Sequence, residues 1–255
     1  MLLCVDIGNT NVVYGLWGDG RWMAHWRVRT VRDQMADEYA MLLKALLADG
    51  KFDLALINRV VIASVVPPLT PVFMDLMQRY LHTTPLVVGP GVRSGLRIRI
   101  DNPAELGADL VADAVAAFHR AQRACIVVDF GTATTFSAIS DEGDFLGVAI
   151  APGLGVAAEA LSSRTAQLPR VSLMAPASVI GKNTPHSMQA GLVYGYLGLV
   201  EGLVGRIRSE LGGKAYVIAT GGLSSTLAPL TKLIDSIDPW LTLEGLRLIS
   251  ERNLL

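Results

Sequence analysis

Two short acidic segments carry the residues of this 255-residue chain whose types and spacing could do chemistry: Val5-Asp6-Ile7-Gly8-Asn9-Thr10 and Val128-Asp129-Phe130-Gly131-Thr132-Ala133. Each Asp follows an apolar run (Leu2, Leu3, Cys4, Val5; Cys125, Ile126, Val127, Val128), which predicts a buried strand ending in a turn at both places. Gly8 and Gly131 let the backbone turn with no Cβ in the way, so amide N–H groups can point at phosphate oxygens. Asn9, Thr10, Asn11, Thr132, Thr134 and Thr135 offer further donors. A carboxylate repels a phosphate, and a cation placed between them resolves the conflict. The chemistry these turns suit is therefore that of a metal with a nucleotide. A single copy reads equally well as an ordinary turn. Here an offset of 123 residues aligns Val5 with Val128, Asp6 with Asp129, Gly8 with Gly131 and Gly20 with Gly143, and one register for all four argues for a duplicated domain.

The elements that must hold two such turns follow in the same order in each half. Strands are predicted at 2–6, 12–17 and 22–29, the last two joined by a hairpin at Gly18-Asp19-Gly20. A helix follows over 36–47 with Met41, Leu42, Ala45 and Leu46 as its apolar face. Next come a strand at 60–65 stopped by Pro67-Pro68, a helix at 71–80, a strand at 85–88 and a helix at 109–121. The second half offers strands at 125–129, 134–139 and 145–150, a helix over 185–210 and a strand at 216–220. Strand, strand, strand, helix, strand, helix, strand is the order expected of both halves, with the active site in a cleft between them.

Composition fits two compact α/β lobes. Hydrophobic residues make up 51% and charged residues 18%, with 25 glycines. With a net charge of −1, nothing suggests nucleic acid or an anionic membrane surface as a partner. Cys4 and Cys125 each fall within a predicted core strand, where they read as small buried hydrophobes in a reducing compartment. A strand begins within two residues of Met1 and no basic leader precedes it, so a cytoplasmic enzyme is expected.

Three further motifs fail or stay open. Gly153-Leu154-Gly155-Val156-Ala157-Ala158 fits a loose dinucleotide fingerprint, but no Asp or Glu occurs from Ala160 through Val200, where the ribose-binding acid should lie. Gly181-Lys182-Asn183-Thr184 is no Walker loop: Pro176 stands where its first glycine belongs, and no Ser or Thr follows the lysine directly. His25, His82, His119 and His186 lack metal-ligand spacing. The acid-free stretch carries Arg164, Arg170 and Lys182, which suits an anionic small molecule or is simply loop composition. Thr184-Pro185 reads as an N-cap followed by proline at the first helical position. Beyond it Gly191, Gly195, Gly198, Gly202 and Gly205 line one helical face, for close packing against the sheet or a second subunit. Glu201, Arg206 and Arg208 argue against a membrane helix.

Six motifs in order span nearly the whole chain: Asp6-Ile7-Gly8-Asn9-Thr10; Asp101-Asn102-Pro103 with Gly107-Ala108-Asp109; Asp129 through Thr135; Ile150-Ala151-Pro152-Gly153; Ile180 through Thr184; and Thr220-Gly221-Gly222. The set closely resembles the bacterial type III pantothenate kinases, which begin coenzyme A biosynthesis. The resemblance implies the duplicated actin-like, ribonuclease H-like α/β fold of the acetate and sugar kinases. Residues 1–115 would form an N-terminal lobe with the first phosphate turn and the catalytic Asp. Residues 116–255 would form a C-terminal lobe with the second turn, the substrate loop and a dimer helix. It implies a homodimer with active sites near the subunit interface.

Residue by residue, the resemblance implies that Asp6, Ile7, Gly8, Asn9, Thr10, Asn11, Val12 and Val13 bind the ATP phosphates, with Asp6 holding magnesium, and that Thr132 is a second ATP contact. Asp129 would hold a monovalent cation, potassium or ammonium. Asp109 would be the catalytic base, and Ile100, Gly107, Ala108, Asp109, Leu110 and Thr184 would surround pantothenate. The chemistry is consistent: a primary hydroxyl attacks the γ-phosphate in line while a carboxylate takes its proton. Burial and the positive end of the helix pull the Asp109 pKa in opposite directions.

Three positions depart from the family's pattern. Leu110 replaces an arginine expected to help hold the substrate carboxylate, a contact whose loss would cost on the order of 1.5 to 3 kcal/mol. Ser137 stands where Asp is common, and Ile100 where some members have Tyr. Beside the pantothenate kinase, these departures leave open a kinase for another hydroxy acid and a nucleotide-binding regulator without kinase activity.

Overall fold

The structure, a computed structural model, describes residues 1–254. The chain forms two compact units. The first holds Met1–Leu96, Asp101–Ala116 and the chain from Leu241 on, and the second holds Arg97–Ile100 and Ala117–Trp240.

In the first unit, β1 (Leu2–Ile7), β2 (Asn11–Gly18) and β3 (Arg21–Arg29) form an antiparallel meander, followed by α1 (Ala36–Asp49), β4 (Arg59–Ser64), α2 (Leu69–Tyr80) and β5 (Leu86–Val87). The sheet order is β3-β2-β1-β4-β5, with β4 parallel to β1 and β5 parallel to β4. The β2–β3 hairpin turns on Asp19 and Gly20, both at positive φ, the two-residue geometry whose twist suits a hairpin.

The face of α1 differs from the sequence expectation. Met41 and Leu42 are exposed, while Ala36, Tyr39, Ala40, Leu43 and Leu47 are buried. Apolar residues occur on both sides of this helix, so spacing alone does not choose between them. The choice is made by α2, whose Phe73 ring lies 4.7 Å from that of Tyr39.

The second unit repeats the arrangement with β7 (Cys125–Phe130), β8 (Ala133–Ile139), β9 (Asp144–Pro152), β10 (Tyr216–Thr220) and β11 (Ser236–Ile237). Its order, β11-β10-β7-β8-β9, is that of the first sheet read from the other edge, with β6 (Arg97–Ile98) added beside β9. Three antiparallel strands followed by two parallel ones, twice over, is the duplicated ribonuclease H-like architecture. One difference from the expected order is that two helices, α4 (Leu154–Ser163) and α5 (Thr184–Glu210), separate β9 from β10. The short α6 (Ser224–Leu227) follows β10.

Two more helices begin in the first unit. The helix α3 (Ala108–Ala121) starts in the first unit, and α7 (Leu241–Arg252), unassigned from sequence, packs on β1 and β4 there. The grouping of residues from Leu241 on with the first unit is not visible to a division made along the chain at 115. Both cysteines are buried and free. Among the described residues no helix is long and apolar enough to cross a membrane.

Gly245 of α7 sits so close to the Ala112 backbone of α3 that a Cβ there would overlap it. Gly245→Ala therefore forces the helices apart, and overpacking of this kind costs about 1 to 3 kcal/mol. A clear fall in Tm by calorimetry is expected; an unchanged Tm would show that α7 docks more loosely.

Candidate functional site

Each repeated Asp stands one residue before the end of a central strand. Asp6 pairs across the sheet with Val13 on the antiparallel side and Ala63 on the parallel side, and Asp129 with Thr135 and Thr220. Both carboxylates are half-buried. Ligands of open α/β sheets gather at the carboxyl ends of strands, where the connections diverge.

The two turns are braced differently. In the first, the Gly8 N–H donates to the Asn11 carbonyl at 3.0 Å. The Thr30 hydroxyl donates to the Gly8 carbonyl at 2.6 Å and the Thr30 N–H to the Thr10 carbonyl at 3.0 Å. Arg32 reaches the Asn9 side chain at 3.0 Å. Asn9 and Thr10 are exposed, whereas Ile7, Val12 and Val13 are buried, so the last three can meet a ligand through main chain only.

In the second turn the clamp is glycine. The Gly131 N–H donates to the Ala133 carbonyl and the Gly153 N–H to the Thr132 carbonyl, both at 3.1 Å. A Cβ at Gly153 would overlap the carbonyls of Gly131 and Thr132. One at Gly221, whose φ is +88°, would overlap Asp129 Oδ1. Thr132 is exposed at the tip. Behind it the buried Thr134 hydroxyl hydrogen-bonds the Tyr196 hydroxyl of α5, and the Leu154 N–H also donates to that phenol. Sequence reasoning missed Thr30 and Tyr196 as braces, and nothing in their local pattern marks them. The loose Gly-x-Gly fingerprint at Gly153 was a usable signal, since it marks a glycine beneath a close backbone approach. The Ser137 hydroxyl is buried in β8 with no hydrogen-bond partner among the described residues.

Asp109 opens α3. Its Oδ1 accepts from the Leu110 N–H at 2.8 Å, and a Cβ at Gly107 would come within 2.5 Å of that oxygen. Gly107 thus leaves room for the carboxylate to fold back over its own helix end. Burial raises the Asp109 pKa, and the backbone N–H groups of Leu110 and Asp109 oppose it without cancelling it. Between the two opposing effects, desolvation prevails. Gly107, Ala108 and Leu110 lie with Asp109 in the first unit, while Ile100, half-buried after β6, belongs to the second. Arg97 and Arg99 both pair with Asp144 of β9 and fix that segment.

The start of α5 differs by one residue from the sequence reading. Asn183 is the N-cap, its side-chain oxygen accepting the His186 N–H at 3.0 Å, and Thr184 is the first helical residue. Asn is the stronger N-cap of the two residue types, its side-chain oxygen accepting from the third N–H of the helix. Thr184 lines a cavity of about 720 Å³ together with Lys182, Asn183, Ser187 and the apolar Leu161, Leu168, Met188 and Leu192. All five glycines of the α5 stripe are exposed, and a Cβ added at any of them meets nothing within 4 Å. The stripe therefore does not pack on the sheet.

Known proteins resemble the chain in sequence and in fold. A family model described as type III pantothenate kinase matches residues 2–206. A type III pantothenate kinase of Moorella thermoacetica is 51% identical over 253 residues, covering 99% of this chain and 100% of the relative. Among solved structures, a conserved putative Baf family transcriptional activator from Campylobacter jejuni superposes with a TM-score of 0.64 at 19% identity, covering 98% of each chain. A putative 2-dehydro-3-deoxygalactonokinase from Sinorhizobium meliloti does so with 0.59 at 14%, covering 99% of this chain and 97% of the other. These two share the fold.

A raised carboxyl pKa has a sign that stability can report. The native state holds the Asp109 proton more tightly than the unfolded chain does, so the carboxylate destabilises the fold as pH climbs through the raised pKa, and this cost is absent below about pH 4. Asp109→Asn keeps an acceptor for the Leu110 N–H. The variant is expected to melt above the wild type at pH 8, with the difference closing toward pH 4. A lower Tm at pH 8 would mean that the helix-end N–H groups outweigh burial.

Proposed function

The chain belongs to the type III pantothenate kinase family, and from that premise we infer that it phosphorylates pantothenate with ATP, giving 4′-phosphopantothenate and ADP, the first step of coenzyme A biosynthesis. The observation that carries this reading is 51% identity over essentially the whole of both chains, with every motif turn in place. That likeness favours neither another hydroxy acid nor a regulator without kinase activity.

In this reading the first turn, from Asp6 to Val13, receives the ATP phosphates, with main-chain N–H groups and the exposed Asn9 and Thr10 as donors, and Thr132 makes a second ATP contact. Among the described residues no cluster of three or more His, Cys, Asp or Glu side chains could hold a metal. Asp6 near the end of β1 suits magnesium, which is usually bound through one or two carboxylates plus substrate phosphates. Asp129 would hold a potassium or ammonium ion. The support is the bare Gly221 Cα against its Oδ1, a cradle that a Cβ would fill. When bound, these cations neutralise charge on the phosphates.

Ile100, Gly107, Ala108, Leu110 and Thr184 would surround pantothenate. Asp109 accepts the proton of the substrate's primary hydroxyl as that oxygen bonds to the γ-phosphorus and the bond to the ADP oxygen breaks. A carboxylate whose pKa burial has raised is the stronger base for this transfer. The reaction belongs in the cytoplasm. The protein acts as a homodimer that joins through the open glycine face of α5, where no side chain holds a neighbouring backbone away.

ADP formation is expected to depend on pantothenate, magnesium and potassium or ammonium. ATP turnover that millimolar pantothenate does not stimulate would overturn the reading. Asp109→Asn should lower kcat by about 10²- to 10⁴-fold with ATP binding nearly intact. Wild-type turnover in that variant would remove Asp109 as the base.

The dimer has its own test. Gly198→Leu adds a side chain to a face that is open within the chain, so it should leave Tm little changed while shifting the protein toward monomer in analytical ultracentrifugation. A wild type that is monomeric and fully active at micromolar concentration would contradict the assembly.

A further inference from the structure

Phosphate binding at the first turn requires that loop to keep one shape, because a hydrogen bond weakens steeply once donor and acceptor fall out of line. The turn is exposed at Asn9 and Thr10, and the pairing of β1 with β2 holds only its ends. The rest of its shape is set by the chain that leaves β3. The Thr30 hydroxyl donates to the Gly8 carbonyl at 2.6 Å, the Thr30 N–H to the Thr10 carbonyl at 3.0 Å, and the Arg32 guanidinium to the Asn9 side-chain oxygen at 3.0 Å. The last of these also orients the Asn9 amide: with its oxygen engaged by Arg32, its NH2 group is left to donate to a phosphate.

Residues 30 and 32 grip the turn, and residue 31 between them is held from the core. Tyr39, one turn into α1, is fully buried, and its ring packs 4.7 Å from that of Phe73. Its hydroxyl accepts the Val31 N–H at 2.9 Å and donates to the Val31 carbonyl at 3.0 Å. The Gln34 N–H donates to the same carbonyl at 3.3 Å, closing residues 31–34 into a turn. One phenol thus fixes both main-chain polar groups of the residue between the two braces. Val31 is itself exposed, so water can take over both bonds when the hydroxyl is removed. Its removal therefore costs the fold little and frees residues 30–32 to shift. All of these residues belong to the first unit.

We propose that Tyr39 is a positioning residue for ATP: through Val31 it holds Thr30 and Arg32, and through them the first turn, in the shape that receives the phosphates. The proposal rests on the reading of that turn above as the ATP site. It gives Tyr39 no contact with substrate and no part in proton transfer, so its effect belongs in nucleotide affinity.

The experiment measures the Kd for ATP with magnesium by calorimetric titration without pantothenate, and kcat with both KM values, in the wild type, Tyr39→Phe, Thr30→Val and the double variant. Tyr39→Phe keeps the ring against Phe73 and removes only the hydroxyl. It should weaken ATP about tenfold, in Kd and KM alike, with kcat at saturating ATP and the pantothenate KM within about twofold. Thr30→Val should weaken ATP similarly, and the double variant little more than either single one, because both act through the same brace. A fall in Tm with ATP affinity unchanged would make Tyr39 a packing residue only and overturn the proposal. Single-variant losses that multiply in the double variant would show that Tyr39 does not act through Thr30 and overturn it too. In both cases the wild type still binds ATP and the kinase reading stands. A wild type that binds no ATP would remove the reading of the first turn, and the proposal with it.

Discussion

Everything about the candidate site depends on carboxylates held at the carboxyl ends of central strands, each strand with an antiparallel neighbour on one side and a parallel one on the other. For Asp6 and Asp129 the ladder on both sides fixes the main chain up to the last paired residue. The chain then has to leave the sheet at once. In the second unit that exit is possible only because Gly153 and Gly221 lack side chains: their backbone segments approach the turn and Asp129 at distances a Cβ would forbid. The first unit solves the same problem with a hydroxyl, as Thr30 donates into the carbonyls' side of the turn. Duplication preserved where the carboxylate stands and let its bracing diverge.

The helix α5 ties two parts of the second unit together. At its start Thr184 lines the cavity, as does Lys182 just before the helix, and twelve residues beyond Thr184 Tyr196 hydrogen-bonds Thr134 behind the second turn. Along its buried side Val193, Leu197, Val200 and Val204 join the core of β7 and β10, while its other side is bare glycine. A single rigid element thus fixes the positions of the cavity residues relative to the turn. One polar group whose ionised form destabilises the fold stands where chemistry is expected. Asp109 is an example, since burial makes its ionised form unfavourable and its basicity greater by the same physical effect.

Much of this was legible in the chain itself. The strand periodicity, the two Asp-x-Gly turns in one register and the Asp-Gly hairpin depend on local backbone preference and on runs long enough to be buried, and all are found where the residues put them. Other features needed the folded chain. Which side of α1 is buried was settled by Phe73, because the helix offers apolar residues on two faces and only a partner can choose. The place of α7 beside α3 follows from Gly245 fitting on Ala112, a contact between residues more than a hundred positions apart that leaves no periodic trace. The glycine stripe was visible as a pattern, but its exposure was a property of the packed unit. Likewise the sequence placed Asp109 at a helix start and so named the two opposing influences on its pKa. Only the surrounding atoms decided that desolvation is the larger, because burial is a sum over neighbours brought together by the fold.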